Sequence, residues 1–126
     1  MTAVVPQRDA TAGTVTPRAQ PGITRTDLQR HDLSIPGREV IQTRVDLAPE
    51  VVAPRHSHPG EEIVYALEGT LEYRLEGRPP VMLTAGEVLF IPDGTIRAVK
   101  NVGSGNAAEL ATYIVEKEAT LVVLAE

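Results

Sequence analysis

The stretch from His56 to Glu62, His-Ser-His-Pro-Gly-Glu-Glu, brings two imidazoles and a carboxylate within seven residues. Residues two apart on a β-strand project to the same face, so we expect His56 and His58 to lie side by side. A turn at Pro59-Gly60 would return Glu62 toward them on the next strand. Two neutral imidazoles and one carboxylate form a facial ligand set that leaves positions open for substrate or oxygen. The alternative is a pair of solvated strand histidines, and we favour a ligand or active site because two of the chain's three histidines lie here.

The residues after this cluster extend it into a longer pattern. Those that carry the pattern are Gly69, Gly86, Pro92, Gly94 and Asn101. In order and spacing the chain resembles the two signature motifs of the cupin superfamily, G-x5-H-x-H-x3-E-x6-G and G-x5-P-x-G-x2-H-x3-N. It departs from them twice, because the opening glycine of the first motif falls on Glu50 and the histidine of the second falls on Arg97.

Arg97 changes the chemistry that the resemblance implies. In cupins with a full site, the matching histidine completes a metal shell of three histidines and one glutamate. A guanidinium stays protonated and has no lone pair to donate to a metal. At about 4 Å and an effective dielectric constant of ~20, its charge would repel a divalent cation by roughly 8 kcal/mol.

Three interpretations of the site stay open. In the first, His56, His58 and Glu62 still hold a metal, and Arg97 binds an anionic substrate beside it. In the second, no metal binds, Arg97 pairs with Glu62, and the cluster is an acid–base and anion-binding site. In the third, Arg97 has disabled the site and the barrel binds a ligand or nothing. The expected cofactor is therefore one divalent metal ion (Fe, Ni, Zn or Mn), or none.

The turn signals predict an all-β protein, because short apolar or alternating runs are separated by Gly- and Pro-containing turns every eight to twelve residues. Strands are predicted at 27–34, 39–47, 51–58, 62–67, 70–75, 81–83, 88–91, 96–101, 109–116 and 120–124. The resemblance implies that they form a single-domain cupin, a double-stranded β-helix or jelly-roll barrel. Residues 1–24 mix Pro, Gly, Thr and Ala without periodicity, which predicts a tail before a cupin domain at 25–126. We favour a disordered tail over one that lies across a partner subunit.

Composition limits the possible partners. The net charge of −5 argues against a nucleic-acid surface, which needs a basic face. No apolar run approaches membrane length, and we expect a cytoplasmic protein without a membrane partner. The absence of cysteine excludes disulfides and thiolate metal sites.

The strand from Ile63 to Leu67 is apolar on both faces and must be covered on both. This is compatible with the homodimer that the cupin resemblance implies.

Weaker candidates surround the main cluster. Tyr73 shares a face with Leu71 and Leu75, which predicts a cavity-lining residue, although core packing alone would explain it. Phe90 and Met82 are also expected in the cavity or the core. His31 could be a substitute ligand, but a lone strand histidine is usually structural or solvated.

The function that we predict from these residues is an enzyme acting on a small carboxylate or enolisable carbonyl compound, such as an isomerase, cyclase or decarboxylase. Its catalytic residues would be His56, His58, Glu62 and Arg97. The alternatives are a ligand-binding or sensor cupin without turnover, and a non-haem metal-dependent dioxygenase. Because one fold carries all of these activities, the fold does not decide among them.

Overall fold

The structure, a computed structural model, describes residues 20–125, and this part of the chain forms ten β-strands and no helix. The strands are β1 (Ile23–Asp32), β2 (Arg38–Leu47), β3 (Val52–Ser57), β4 (Gly60–Glu68), β5 (Thr70–Leu75), β6 (Val81–Thr84), β7 (Val88–Ile91), β8 (Arg97–Asn101), β9 (Ala107–Glu116) and β10 (Val123–Leu124). Each of the ten predicted strands is present; β5 and β7 have the predicted ends, and the other eight are shifted at one or both ends.

The strands form two antiparallel sheets of five, with the orders β1-β2-β9-β4-β7 and β10-β3-β8-β5-β6. Neighbouring strands are rarely consecutive in the chain, so the two sheets are interleaved as in a jelly roll. The prediction of an all-β jelly-roll barrel is confirmed.

Because side chains alternate strictly along a strand, every second side chain points into the space between the sheets. On β2 every second residue from Glu39 to Leu47 is buried, and the residues between them are partly exposed. On β4 the predicted parity holds, since Val64 is fully buried while Ile63 and Tyr65 are exposed. The interior of the barrel is mostly aliphatic, and each fully buried Val, Leu or Ile contributes about 1.5–3 kcal/mol to folding.

The register of the strands brings chemically active side chains together from both sheets. On one sheet, Arg97 of β8 lies directly opposite His56 of β3. On the other sheet, Glu62 of β4 lies directly opposite Tyr113 of β9. All four side chains are buried, so each sheet presents a pair of polar residues to the same interior.

Glu50, which replaces the opening glycine of the first motif, lies in the turn between β2 and β3. Its φ is +68°, a left-handed conformation that glycine adopts without steric cost and other residues adopt at about 1–2 kcal/mol. The turn is closed by a hydrogen bond from the Val51 amide to the Ala48 carbonyl, 3.1 Å long. The chain therefore keeps the backbone shape that the motif requires and accepts the strain of a side chain there.

Asn101, the last residue of the second motif, is a structural residue. It is fully buried, and its Nδ2 donates to the carbonyl oxygens of Leu47 at 2.9 Å and Gly105 at 2.8 Å. Its Oδ1 accepts a 2.9 Å hydrogen bond from the Gly103 amide. One side chain thus joins the end of β8 to β2 and to the turn before β9.

Strand β1 begins at Ile23, which lies inside the predicted tail, and residues 1–19 lie outside the described residues. The proposed boundary at residue 24 therefore stays a prediction. In the part of the chain that the structure covers, no helix is long and apolar enough to cross a membrane.

Candidate functional site

A cavity of about 370 Å³ lies between the two sheets. Its wall combines aliphatic side chains with a dense group of ionisable ones. The ionisable residues that line it are Arg25, His56, His58, Glu62, Tyr73, Arg97, Glu109 and Tyr113. The structure therefore brings together all four predicted catalytic residues, and Tyr73 as well, around one space.

Both histidines are held by backbone carbonyl groups. The Nδ1 atom of His56 lies 2.7 Å from the Pro54 oxygen, and that of His58 lies 2.6 Å from the Leu121 oxygen. A carbonyl oxygen only accepts hydrogen bonds, so each Nδ1 carries the proton and each Nε2 keeps a free lone pair. The two rings lie edge to face with centroids 5.0 Å apart.

Both imidazoles are neutral near pH 7. Burial lowers the pKa of His56 to about 4, and the positive charges of Arg97 and Arg25 act in the same direction. Burial also lowers the pKa of His58 well below its usual value, again with help from Arg97. The histidines are therefore nitrogen donors and proton acceptors, and they carry no positive charge.

Glu62 lies between His58 and Arg97. Its Oε1 is 3.7 Å from His58 Nε2 and 3.5 Å from a terminal nitrogen of Arg97. Burial raises the pKa of Glu62 to about 8, the nearby Glu109 raises it further, and Arg97 opposes the rise. Glu62 therefore holds a proton near neutral pH, which makes the expected ion pair with Arg97 a weak one. Gly60, the first residue of the strand that carries Glu62, lies very close to β9. A Cβ on Gly60 would lie 2.0 Å from the Ile114 oxygen, so only glycine fits there.

Arg97 is the largest of the fully buried side chains, with 1% of its surface exposed. None of its three guanidinium nitrogens has a hydrogen-bond partner among residues 20–125. A buried donor without an acceptor costs about 1–3 kcal/mol, and more when it is charged. The guanidinium therefore faces the cavity with its hydrogen-bonding capacity free for an anion.

Two hydrogen-bonded pairs complete the wall. Tyr73 of β5 donates its hydroxyl to a carboxylate oxygen of Glu109 on the opposite sheet. Arg25 of β1 donates to the hydroxyl oxygen of Tyr113 at 2.7 Å. Burial raises the pKa of Glu109, and the hydrogen bond from Tyr73 opposes that rise.

Sequence reasoning missed Arg25, Glu109 and Tyr113. A signal for Glu109 was present, because it shares the inward face of β9 with the alanines at 107 and 111, where a charge is out of place. Arg25 gave no such signal, since it fell at the edge of the predicted tail.

Three predicted residues do not reach the cavity. Phe90 is 55% exposed, because it pairs with the outward-facing Ile63. Met82 is 54% exposed, because it pairs with Glu72, which points away from its inward neighbours on β5. Phe90 and Met82 therefore lie on the outer faces of the sheets, and the prediction that they lie in the cavity or the core is wrong. His31 is exposed, contacts Gln29 and does not line the cavity.

The donor atoms fit a metal ion only in part. The free Nε2 lone pairs of His56 and His58, each with Nδ1 bonded to a carbonyl, are arranged as in metal-binding histidines. However, the third position of the shell is filled by the Arg97 guanidinium. Among residues 20–125, no group of three or more His, Asp or Glu side chains is arranged to hold a metal ion. As the side chains stand, the site does not fit a metal, and the set His56, His58 and Glu62 stays a prediction.

The fold and the motif residues define the class of the protein. Residues 43–115 match the family described as Cupin domain, which is more than half of the chain, and the chain belongs to this family.

Proteins of named function resemble the chain over part of their length. It is 34% identical over 91 residues to germin-like protein 1-1 of Oryza sativa subsp. japonica, covering 68% of this chain and 42% of that protein. It is 43% identical over 47 residues to dimethylsulfoniopropionate lyase DddQ of Ruegeria pomeroyi, covering 37% of this chain and 23% of the lyase. The chain thus spans less than half the length of these curated relatives.

Solved structures show the same architecture. Oxalate oxidase in complex with the substrate analogue glycolate superimposes with a TM-score of 0.68 at 26% identity. That match covers 85% of this chain and 57% of the oxidase chain. The chain is therefore a cupin domain with similarity to germin-like proteins, an oxalate oxidase and a dimethylsulfoniopropionate lyase.

Proposed function

We propose that this cupin is an enzyme that acts on a small carboxylate or enolisable carbonyl compound, with Arg97 as the residue that binds the carboxylate. The observation that carries the proposal is the buried guanidinium, whose three nitrogens lack hydrogen-bond partners among the described residues. A carboxylate accepts two parallel hydrogen bonds from the planar fork of an arginine. Binding it would remove the energetic cost of the unpaired donors.

The charge balance of the cavity supports an anionic ligand. Arg25 and Arg97 contribute two positive charges, and both histidines are neutral near pH 7. Glu62 is mostly protonated at that pH, which leaves Glu109 as the one carboxyl group that could offset a guanidinium. The side chains that line the cavity therefore carry a net positive charge whatever the state of Glu109, and one negative charge from a ligand brings this total closer to neutrality.

The site also contains the two partners that enolisation requires. Glu62 holds a proton that it can donate to a carbonyl oxygen, and the Nε2 lone pair of His58 can accept a proton from the adjacent carbon. The product of these two transfers is an enol, and the reverse transfers regenerate the carbonyl compound. A pKa near 4 makes a buried imidazole a weak base. However, a carboxylate bound to Arg97 would offset the charge that lowers the pKa values of both histidines, so binding would strengthen the base.

The names of the relatives support the same substrate class. Oxalate, glycolate and dimethylsulfoniopropionate are all small molecules with a carboxylate group. A cavity of about 370 Å³ suits a compound of this size.

A metal-dependent dioxygenase is the second candidate, because both histidines present an unprotonated Nε2 to the cavity. It requires that Arg97 moves away from Glu62 so that a metal can reach the three predicted ligands. We rank it below acid–base chemistry because the guanidinium stands at the third position of the shell.

An isotope-exchange assay tests the proposal. Pyruvate, 2-oxobutyrate and acetoacetate are each incubated with the protein in D₂O, and NMR follows the loss of signal from the protons on the carbons next to the ketone carbonyl. We expect exchange or product formation with at least one compound, and a loss of about 10²–10⁴-fold in Glu62→Gln. Glu61→Gln is the matched control, because Glu61 is the chain neighbour of Glu62 and points to the opposite face of β4.

Three results would decide between the functions. Equal rates in Glu62→Gln and Glu61→Gln would contradict the assigned role of Glu62. Binding of these compounds without exchange or product, with or without added Fe²⁺ in air, would favour a ligand-binding cupin. Turnover that appears only with added Fe²⁺ in air would favour the dioxygenase.

A further inference from the structure

The segment that follows β9 returns to the histidines and closes one side of the cavity. We name Leu121–Ala125 the closing segment. Its strand β10 pairs with β3 through two residue pairs, Val123 with Ser57 and Leu124 with His56. The Ala125 amide then donates to the Arg55 oxygen at 2.9 Å.

The closing segment touches His58 through its backbone. The Leu121 oxygen accepts a 2.6 Å hydrogen bond from Nδ1 of His58, in a buried setting and across 63 residues of chain. His56 differs, because its Nδ1 is held by Pro54, two residues away on the same strand. One histidine is therefore oriented by its own strand, and the other by a distant part of the chain.

We infer that the Leu121 carbonyl is the positioning group that fixes the tautomer and ring orientation of His58, so that its Nε2 lone pair faces the substrate cavity. This inference rests on the proposed function, because it is the proton-accepting role of His58 that needs a fixed lone pair. The ring of Tyr113 also packs against His58, with centroids 4.5 Å apart, and its hydroxyl oxygen accepts a hydrogen bond from Arg25.

The side chains of the segment explain how the carbonyl is held in place. Leu121 and Val122 are buried at 5% and 8% exposure, and both belong to the apolar cluster around Ile41 and Tyr113. Val122 also lines the cavity, whereas Val123 is 46% exposed and faces away from it. Two apolar anchors thus hold one backbone oxygen against His58.

A neutral imidazole exchanges its proton between Nδ1 and Nε2 when neither position is favoured by a partner. Loss of the Leu121 acceptor should therefore populate the Nε2–H tautomer of His58, which cannot accept a proton from substrate at that nitrogen. We expect the ratio of the two tautomers to change roughly tenfold, which corresponds to about 1.4 kcal/mol and lies at the upper end of the usual net value of one hydrogen bond.

The test is the ¹⁵N spectrum of the imidazole rings, recorded without ligand at about pH 8, where an ordinary histidine is neutral. The chain has only three histidines, and His31→Gln and His56→Gln assign their signals. In the parent, we expect His58 and His56 in the Nδ1–H tautomer. In the double variant Leu121→Ala/Val122→Ala, the ¹⁵N shifts of His58 should move toward those of the Nε2–H tautomer. The size of the move should correspond to a tenfold change in the ratio of the two tautomers. His56 should stay as it is, and Val123→Ala, the matched control, should change neither ring.

A second variant covers the case in which the double variant keeps the segment in place or loses the fold. Replacing Val122 by its α-hydroxy acid turns the Leu121 carbonyl into an ester carbonyl, a weaker acceptor, and keeps both side chains. Here the Nδ1 proton of His58 should shift upfield, as expected of a weaker hydrogen bond. Hydrogen exchange at the Ala125 amide reports whether the segment has detached in either variant.

An unchanged His58 signal in the ester variant, or in a double variant whose Ala125 amide exchanges rapidly, would overturn the inference. The samples for these spectra contain no ligand. The inference about the His58 tautomer can therefore be wrong while carboxylate binding is found, and the reverse is also possible. The two proposals are therefore tested separately.

Discussion

Replacing Arg97 by methionine should make the protein more stable while removing the proposed anion-binding site. The guanidinium is 1% exposed, and its nitrogens have no hydrogen-bond partner in the described part of the chain. An arginine that contributed to the fold would have acceptors around it. Methionine fills the same space with an unbranched apolar chain and leaves no buried donor unpaired.

The size of the effect follows from two opposing terms. At 3.5 Å, an ionised Glu62 would attract Arg97 by about 5 kcal/mol at an effective dielectric constant of ~20. Below about pH 8 Glu62 is mostly protonated, so most of this attraction is absent near neutrality. The desolvation of the guanidinium remains, and replacing buried ionic groups by apolar ones of similar volume stabilises proteins by about 1–4 kcal/mol. We expect a gain in this range at pH 7.

Urea denaturation followed by circular dichroism measures the free energy of unfolding of the two proteins. Arg74→Met is the matched control, because Arg74 is 65% exposed and pairs with Glu72 on the surface, so its loss should change stability by less than about 0.5 kcal/mol. A loss of about 2 kcal/mol or more in Arg97→Met would contradict this prediction, since it would mean that Arg97 stabilises the fold.

Arg97→His should bind Zn²⁺ or Ni²⁺ at least tenfold more tightly than the parent in calorimetric titrations, because it removes a repelling charge and adds a nitrogen donor. Equal affinities would mean that the guanidinium points away from the ligands. The free energy of unfolding should fall by about 1 kcal/mol from pH 6.5 to pH 8, because folded Glu62 keeps the proton that an unfolded glutamate has lost, while the lowered pKa values of the two histidines offset part of the fall. Below pH 6.5 the lowered pKa values of the histidines change the free energy of unfolding in the opposite direction. Glu62→Gln should make the decrease between pH 6.5 and pH 8 smaller. If Glu62→Gln leaves the pH dependence unchanged, the decrease belongs to another group. Asn101→Ala should cost about 2–4 kcal/mol in a thermal or urea unfolding experiment, since it leaves buried backbone groups unpaired; a cost under 0.5 kcal/mol would contradict its structural role.

The strands and the side-by-side placement of His56 and His58 could be predicted from the sequence because both follow from local rules. Alternation with a period of two decides which face a residue occupies, and Gly or Pro marks most of the turns. The same parity rule placed Glu62 inside the barrel and Glu61 outside it. These features depend on neighbours within a few residues.

What the sequence could not show depends on contacts between distant strands. The Leu121 carbonyl reaches His58 across 63 residues, and the hydrogen bond from Tyr73 to Glu109 joins the two sheets. Phe90 and Met82 were misplaced because an aromatic or long apolar side chain on a short strand suits either face, and only the pairing partner decides. The protonation of Glu62 likewise depends on burial and on Glu109, and neither is visible along the chain.

Whether Arg97 binds the substrate carboxylate is best measured by calorimetric titration of glycolate, pyruvate and acetoacetate into the parent and Arg97→Met. The uncharged amide of each acid is titrated in parallel. If Arg97 binds the substrate carboxylate, at least one acid binds the parent, its amide binds at least tenfold more weakly, and Arg97→Met loses affinity for the acid by a similar factor. Equal affinities for acid and amide, or an Arg97→Met protein that binds the acid as tightly as the parent, would contradict the central role of this residue.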